Sequence, residues 1–543
     1  MPTMEDNFFR KNVHHFSNRQ TMKLIPFRLP TSLAALGALL LTSLFLNAAP
    51  ALAPIFNNGA VLQCEMPVTI WGTATPGTTV QLLLDGKPAG EAKAEAEGRW
   101  QAELPAHPPG GPHTLEAKSG GASVKIDDVW FGEVWIASGQ SNMVQPLANA
   151  EGGAEALART VPEVRFVVVP KTAGLPAEVK FTAQDLAWKE FTPPANAKIA
   201  SAAFFFADRL RKETGRRVGI LQTSVGGVPI TAWMPMSALQ ADPAFAQHVE
   251  TRRKAETRPP AEAKAEWENF DKAAQARRMW EKRRQGEQPP AVPDPGLENS
   301  FNPKSPTVLW ENMATPLVPY TARGVIWYQG ESNAGGPDEY RLLFPALINA
   351  WRQAWKRPDW PFLFVQLAGL GEVNGKRPSG DWPGLRTAQA FTRDTVPHTG
   401  MAVAIDCGEK AEIHPKFKKP VGERLARLAL AQVYGRDVAS RGPLLTKAEN
   451  QNGKFLLTFE HTGTGLKTAD GKPEVPGFAV AGADKTFHPA TARITGPAMI
   501  ELTCAEVQTP TTIRYAWVDW AEPPVTLQNS DGLPAEPAEI KVP

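Results

Sequence analysis

The sequence predicts an α/β fold, with a mostly parallel sheet covered by helices and β-rich segments before and after it. Three observations carry this. Between residues 131 and 435, short apolar runs alternate with helical patterns, as βαβ units require. Outside that stretch, short strand candidates lie between Pro/Gly turns. The 543 residues also exceed one ordinary domain. The parallel region offers five strand candidates, Val134–Ala137, Val218–Gln222, Gly324–Tyr328, Phe362–Leu367 and Met401–Ile405. Ala202–Glu213, Tyr340–Trp355, Leu385–Arg393 and Val421–Val433 are the helix candidates. Five strands with interleaved helices suit a three-layer flavodoxin-like sheet.

Residues 1–21 are polar and read as an upstream extension, with Met22 as the start. Lys23 and Arg28, the apolar stretch Leu33–Leu46 and Ala51-Leu52-Ala53 then make a secretory signal peptide over 22–53. The apolar core is short for a spanning helix, which needs ~20 residues. Cleavage near Ala53, a secreted or periplasmic protein and no stable membrane insertion are therefore expected. Residues 54–130 read as a small β-sandwich, with strand candidates at Val68–Gly72, Thr79–Leu84 and Val124–Ile126. A helical insertion over 240–305 interrupts the α/β pattern. Its Ala261–Gln285 stretch is dense in good helix formers and ends before Pro289-Pro290; it reads as a solvated surface helix. Residues 440–543 return to β, with Lys454–Phe459 and Thr512–Trp517 as strands.

Composition excludes several function classes. A net charge of +2 gives no footprint for nucleic acid. The three cysteines, Cys64, Cys407 and Cys504, are too few and too far apart for a disulfide framework. The nine histidines do not cluster at ligand spacing, so neither a metal nor a cofactor is expected. Without a metal cluster or basic patch, a nuclease or phosphodiesterase is disfavoured.

The chemistry centres on Ser138-Gly139-Gln140-Ser141-Asn142-Met143, which follows the buried run Val134–Ala137. A serine just past a buried strand sits where open α/β sheets bind ligands. Met143 stands where a Gly-x-Ser-x-Gly elbow would carry its second glycine, so that motif is excluded. Three further segments accompany it: Ser224-Val225-Gly226-Gly227, Trp327-Tyr328-Gln329-Gly330-Glu331-Ser332-Asn333 and Ile413-His414-Pro415. In this order the four blocks resemble those of SGNH-type carbohydrate acetylesterases, specifically the sialate O-acetylesterase-like group. Further likeness at Phe56–Gln63, Gly477-Phe478, Arg514–Trp517 and Asp531–Ala535 extends the resemblance to most of the chain.

That resemblance implies a serine esterase acting on an O-acetylated carbohydrate, most like a sialate O-acetylesterase. Acetylated xylan is the rival substrate, and a non-catalytic glycan-binding protein is the rival class. Ser141 is the expected nucleophile and His414 the base that takes its proton. Similar enzymes carry Asp two residues before the histidine; this chain has Glu412 there. Asp406, or a dyad with no acid, is the alternative. For the oxyanion, the expected donors are the Ser141 and Gly227 N–H groups, with Gly226 the alternative to the latter, and the Gln329 side chain, with Asn333 the alternative. Glu331 is expected to tie loops together. Trp233, Trp327, Tyr328 and Trp382 lie near these blocks but are read as core before they are read as sugar platforms.

Overall fold

The computed structural model describes residues 49–176, 180–283, 289–373, 375–451, 454–507 and 509–542. Residues 1–48, and with them most of the expected signal peptide, lie outside this set. At the centre is a sheet built on one long strand, β1 (Ala122–Gly139). Its second half, from Trp130, is almost wholly buried and, apart from Glu133 and Ser138, apolar, as a strand covered on both faces tends to be. Beside it lie β2 (Val218–Ser224) and β3 (Gly324–Tyr328), both parallel to it. Next to β3 come β4 (Phe362–Val365) and β5 (Thr399–Ala402), again parallel. The five expected strands thus stand in the order 2-1-3-4-5.

Two further strands extend the sheet beyond β2. Val161–Val168 is parallel to β2, and Lys189–Phe191 closes the edge antiparallel to it. Neither is visible as a strand in the sequence, because Pro162, Glu163 and Arg165 interrupt the apolar run.

Four helices match the expected ones within a few residues: α1 (Ser201–Thr214), α2 (Pro337–Ala354), α3 (Trp382–Thr395) and α4 (Lys418–Gln432). One face of the sheet, with Trp135, Ala137, Ile220, Ile326 and Leu363, packs on Phe206, Leu210, Leu425 and Leu428 of α1 and α4. The other face, with Ile136, Leu221, Val325, Trp327 and Phe364, packs on Tyr340, Leu347 and Trp351 of α2 and Leu385 of α3. Each fully buried Leu, Ile or Phe contributes about 1.5–3 kcal/mol.

The N-terminal half of β1 belongs to a second body. There it pairs antiparallel with Gly110–Ser119, which pairs with Thr79–Leu84, which pairs with Lys87–Lys93. A three-stranded sheet of Ala51–Leu52, Val68–Thr73 and Arg99–Leu104 accompanies it. The junction expected at 130/131 therefore falls within one continuous strand. Ala51 and Leu52 pair with Thr73 and Gly72, so a cut after Ala53 would remove a strand of this sheet.

Pro260–Arg283 forms a 24-residue helix, with Ala263 its buried residue and most others exposed. From Leu444 onward the chain is antiparallel β, in two four-stranded sheets and one strand pair. All three cysteines are free thiols, and burial pushes Cys64 and Cys407 up to about 12, which keeps them protonated and inert.

Candidate functional site

Ser141 follows β1 at the carboxyl edge of the sheet, between the ends of β2 and β3. The turn that delivers it depends on Gly139, whose φ is +134°. A Cβ there would lie 2.1 Å from the Tyr328 carbonyl oxygen. The Gln140 N–H donates to that same carbonyl at 2.9 Å, and the Val225 N–H donates to the Gly139 carbonyl at 3.2 Å. A single helical turn, Ser141–Val144, follows. Among the described residues the Ser141 N–H has no protein acceptor, as expected of the first N–H of a helix. On the neighbouring turn, a Cβ on Gly226 would lie 3.4 Å from the Ser141 Cβ. The Gly226 and Gly227 N–H groups likewise have no protein acceptor among the described residues.

His414 lies on the long loop after β5. Two side chains of the Ser141 block hold it there. Asn142 Nδ2 donates to the Ile413 carbonyl at 3.1 Å, and Gln145 Nε2 donates to the His414 carbonyl at 3.2 Å. Ser141 and His414, 273 positions apart in the chain, are thereby held on adjoining backbone segments.

Asn142 is the hub of this arrangement. Its Nδ2 also donates to Glu331 Oε1, and its Oδ1 accepts from Lys418 Nζ at 2.7 Å. Lys418 further donates to the Pro415 carbonyl at 2.7 Å. Burial raises the Glu331 carboxyl above its usual range, and Oε2 of that group is buried without a partner. Burial brings the Lys418 ammonium down to about 8, with Glu331 pulling the other way. Glu331 ties loops together, as expected. Asn142, Gln145 and Lys418 are the residues that sequence reasoning left without a role. Each lies in or beside a matched block, but nothing in spacing says which partner a buried amide will find.

Glu412 sits beside the histidine in the way the two-residue spacing suggests. Its Oε1 is 3.4 Å from His414 Nδ1 and accepts the His414 backbone N–H at 2.8 Å. The pair is open, with the side chains 43% and 53% exposed. Asp406 is committed elsewhere. Arg424 grips both its oxygens at 2.6 Å, a bidentate ion pair that anchors the loop to α4.

Gln329 is a correction. It is fully buried, and its amide protons go to the Val228 carbonyl at 3.3 Å and to Asn333 Oδ1 at 2.7 Å. A buried amide with both N–H groups spent has nothing left for a substrate oxyanion. Its effect is to orient Asn333. The Asn333 Oδ1 accepts from Gln329 and from the Ile230 N–H at 2.9 Å, which turns its Nδ2 to the opposite side. That Nδ2 donates to no protein group among the described residues. Trp233, Trp327, Tyr328 and Trp382 are buried core residues.

A family model described as carbohydrate esterase, sialic acid-specific acetylesterase matches residues 132–265 and 308–431. The rat sialate O-acetylesterase (Rattus norvegicus) is 28% identical over 531 residues, covering 90% of this chain and 94% of that one. The human sialate O-acetylesterase is 28% identical over 451 residues, covering 75% and 76%. The crystal structure of a carbohydrate acetylesterase from Xanthomonas citri superposes with a TM-score of 0.73 at 33% identity, covering 91% of this chain and 99% of that one. The chain belongs to this carbohydrate esterase family. It is a carboxylic ester hydrolase for O-acetylated carbohydrate. All four blocks in which the esterase site was expected fall within the matched segments; the first β flank and the closing β region lie outside them.

Proposed function

We propose that this esterase works by a serine mechanism in which Ser141 is the nucleophile, His414 the general base and Glu412 the group that orients it. The observation that carries the reading is the pair of hydrogen bonds from Asn142 and Gln145, on the Ser141 turn, to the Ile413 and His414 carbonyls. With Nδ1 facing Glu412, Nε2 is the nitrogen left to take the Ser141 proton. The Ser141 Oγ attacks the acetyl carbonyl, and the imidazolium then returns the proton to the departing sugar oxygen. Water, activated by the same histidine, releases acetate from the acetyl-serine. The oxyanion donors are the Ser141 N–H, the backbone of the Gly226–Gly227 turn and Asn333 Nδ2. Removing one oxyanion donor costs about 10²–10³-fold in kcat in a serine acyl-transfer site. Asn333→Ala is expected to lose that much, read as acetate release; a parent-like kcat would return the third donor to an unknown.

The pH profile tests the base and its acid together. A base must be neutral to accept a proton. Burial depresses the His414 pKa below its ordinary 6.5, Lys418 adds to this, and Glu412 opposes it. The acid limb of kcat/KM is therefore expected below pH 6.5. Glu412→Gln removes the opposing carboxylate, so the limb should move to still lower pH, with a plateau about 10- to 100-fold down; the loss is smaller than for a buried triad acid because this pair is open to water. Asp406→Asn should lower stability through Arg424 and leave the position of the limb alone. A limb at or above 6.5, or one that Asp406→Asn shifts more than Glu412→Gln, overturns the assignment.

The order 2-1-3-4-5, with helices on both faces, supports a three-layer flavodoxin-like sheet of the SGNH type. Ser141 and Asn333 then flank the switch point between β1 and β3. The substrate proposed first is O-acetylated sialic acid, on the strength of what the mammalian relatives are named for. Acetate release from O-acetylated sialic acids and acetylated xylo-oligosaccharides decides it: higher kcat/KM on the latter replaces the substrate and leaves the mechanism. For location, we propose export with removal of the basic and apolar N-terminal stretch. Because Ala51–Leu52 is a strand of the folded unit, N-terminal sequencing of exported protein should start at or before Pro50. A start at Pro54 would overturn that boundary.

A further inference from the structure

A cleft of about 670 Å³ opens beside the candidate site and plays no part in the mechanism above. One of its walls comes from the loop that carries His414, and a second is hydrogen-bonded to the loop that carries Asn333. Lys410 lies on the His414 loop, where Glu409 and Glu412 are bridged. Gly380 and Asp381 form the second wall, and the Asp381 N–H donates to the carbonyl of Ala334, next to Asn333, at 2.7 Å. The third wall is the Trp517–Trp520 loop of the C-terminal β region, which brings two half-buried indoles. Sequence reasoning passed over both as sugar platforms.

That loop is rigidly placed. Arg386, almost fully buried, spends its guanidinium on backbone carbonyls of the central α/β region and of the C-terminal β region: Leu367 and Ala368 at 2.9 Å, Val518 at 2.6 Å and Asp519 at 3.2 Å. The Leu370 N–H adds a bond to the Asp519 carbonyl at 2.9 Å, and Lys410 pairs with Glu522 at 2.6 Å. A Cβ on Gly369 would lie 3.2 Å from the Trp520 ring, so the indole rests on bare backbone. Arg514 lies 4.8 Å over the Trp517 ring. Sites for small molecules combine such apolar faces with a few fixed polar groups. The negative face of an indole suits the weakly positive C–H bonds of a pyranose. The charged side chains lining the cleft decide the sugar class. Four carboxylates line it, Glu372, Asp381, Asp519 and Glu522, against the lining cations Arg377 and Lys410, the latter already paired with Glu522; Arg386 lies buried behind Asp519, so the surface a sugar meets disfavours an anionic one.

We propose that this cleft is a glycan subsite that holds neutral sugar units adjoining the acetylated residue, with Trp517 and Trp520 as its platform. The proposal rests on the esterase reading for its purpose, but its test is independent of Ser141. Titrate the wild-type protein with unacetylated xylohexaose, cellohexaose and galactotetraose, and with hexagalacturonate, by calorimetry and tryptophan fluorescence. Saturable binding of at least one neutral oligomer is expected, with hexagalacturonate at least about tenfold weaker. Loss of an aromatic anchor typically costs about tenfold or more, so Trp520→Ala and Trp517→Ala should weaken binding by that factor, and Trp520→Phe should restore most of it. Should an alanine variant fail to fold, N-bromosuccinimide oxidation mapped by peptide mass replaces it. The bound oligomer is then expected to protect Trp517 and Trp520 in the wild type. Binding of no neutral oligomer, tighter binding of hexagalacturonate, undiminished affinity in the folded alanine variants, or unprotected indoles overturns the subsite. None of these touches the esterase mechanism, which is tested separately by Ser141→Ala and by the pH profile.

Discussion

Ser141→Ala is expected to lower kcat for acetate release by at least about 10⁴-fold, and His414→Ala by a similar factor, because nucleophile and base act as one unit. The double variant should be little worse than either single one, since the second change removes nothing the first has left working. What remains should be the activity that oxyanion donors and substrate binding supply without a nucleophile. Both variants should keep the parent's thermal midpoint. The bonds that join the serine turn to the histidine loop are made by Asn142 and Gln145 rather than by the Ser141 side chain, and the His414 segment is held through its backbone carbonyls and N–H, which alanine keeps. Rates would be measured with an acetylated sugar and with p-nitrophenyl acetate. A Ser141→Ala protein within tenfold of the parent (about 1.4 kcal/mol in the barrier) would sink the serine mechanism.

The largest structural effect is expected from Gly139→Ala. An added Cβ would lie 2.1 Å from the Tyr328 carbonyl oxygen, and the φ of +134° is one that L side chains rarely adopt. The obstructing atom is backbone in the middle of the sheet, so nothing yields cheaply. Strain of this kind costs of order 1–3 kcal/mol, and the clash adds to it. Relief requires β1 and β3 to separate at their carboxyl ends, which pulls Ser141 away from Asn333. Soluble yield, denaturant midpoint and kcat should all fall, with kcat falling even in material that remains folded. A variant with the parent's midpoint and kcat would show that the turn tolerates a side chain, contrary to the geometry.

The site divides by the range of the forces that make it. The placement of Ser141 and His414 was legible because each sits in a short local pattern, a turn after a buried strand and a His-Pro leading into a helix. That Glu412 lies beside His414 was legible for the same reason, since two residues of spacing suffice to bring a carboxylate alongside an imidazole. Asp406 was the alternative in sequence. Its commitment to Arg424, on the next helix, shows only once α4 is folded against the loop. Gln329 and Asn333 are both amides in one block, and which one keeps a free N–H depends on Val228, Ile230 and Tyr340, all on other elements.

The fold divides along the same line. Apolar runs and helical periods specified the five parallel strands and the four helices, because hydrophobic pattern is a local property of the chain. The strand Val161–Val168 escaped since its charged residues, Arg165 among them, are paid for by partners far away, at Asp128 and Glu190. Tertiary structure alone decided that β1 runs unbroken from one body into the next, that Asn142 joins the serine turn to the histidine loop, and that a buried arginine fastens two tryptophans of the C-terminal region beside the site. Each of these is a contact between residues distant in sequence, and its energy exists only after the intervening chain has already been ordered.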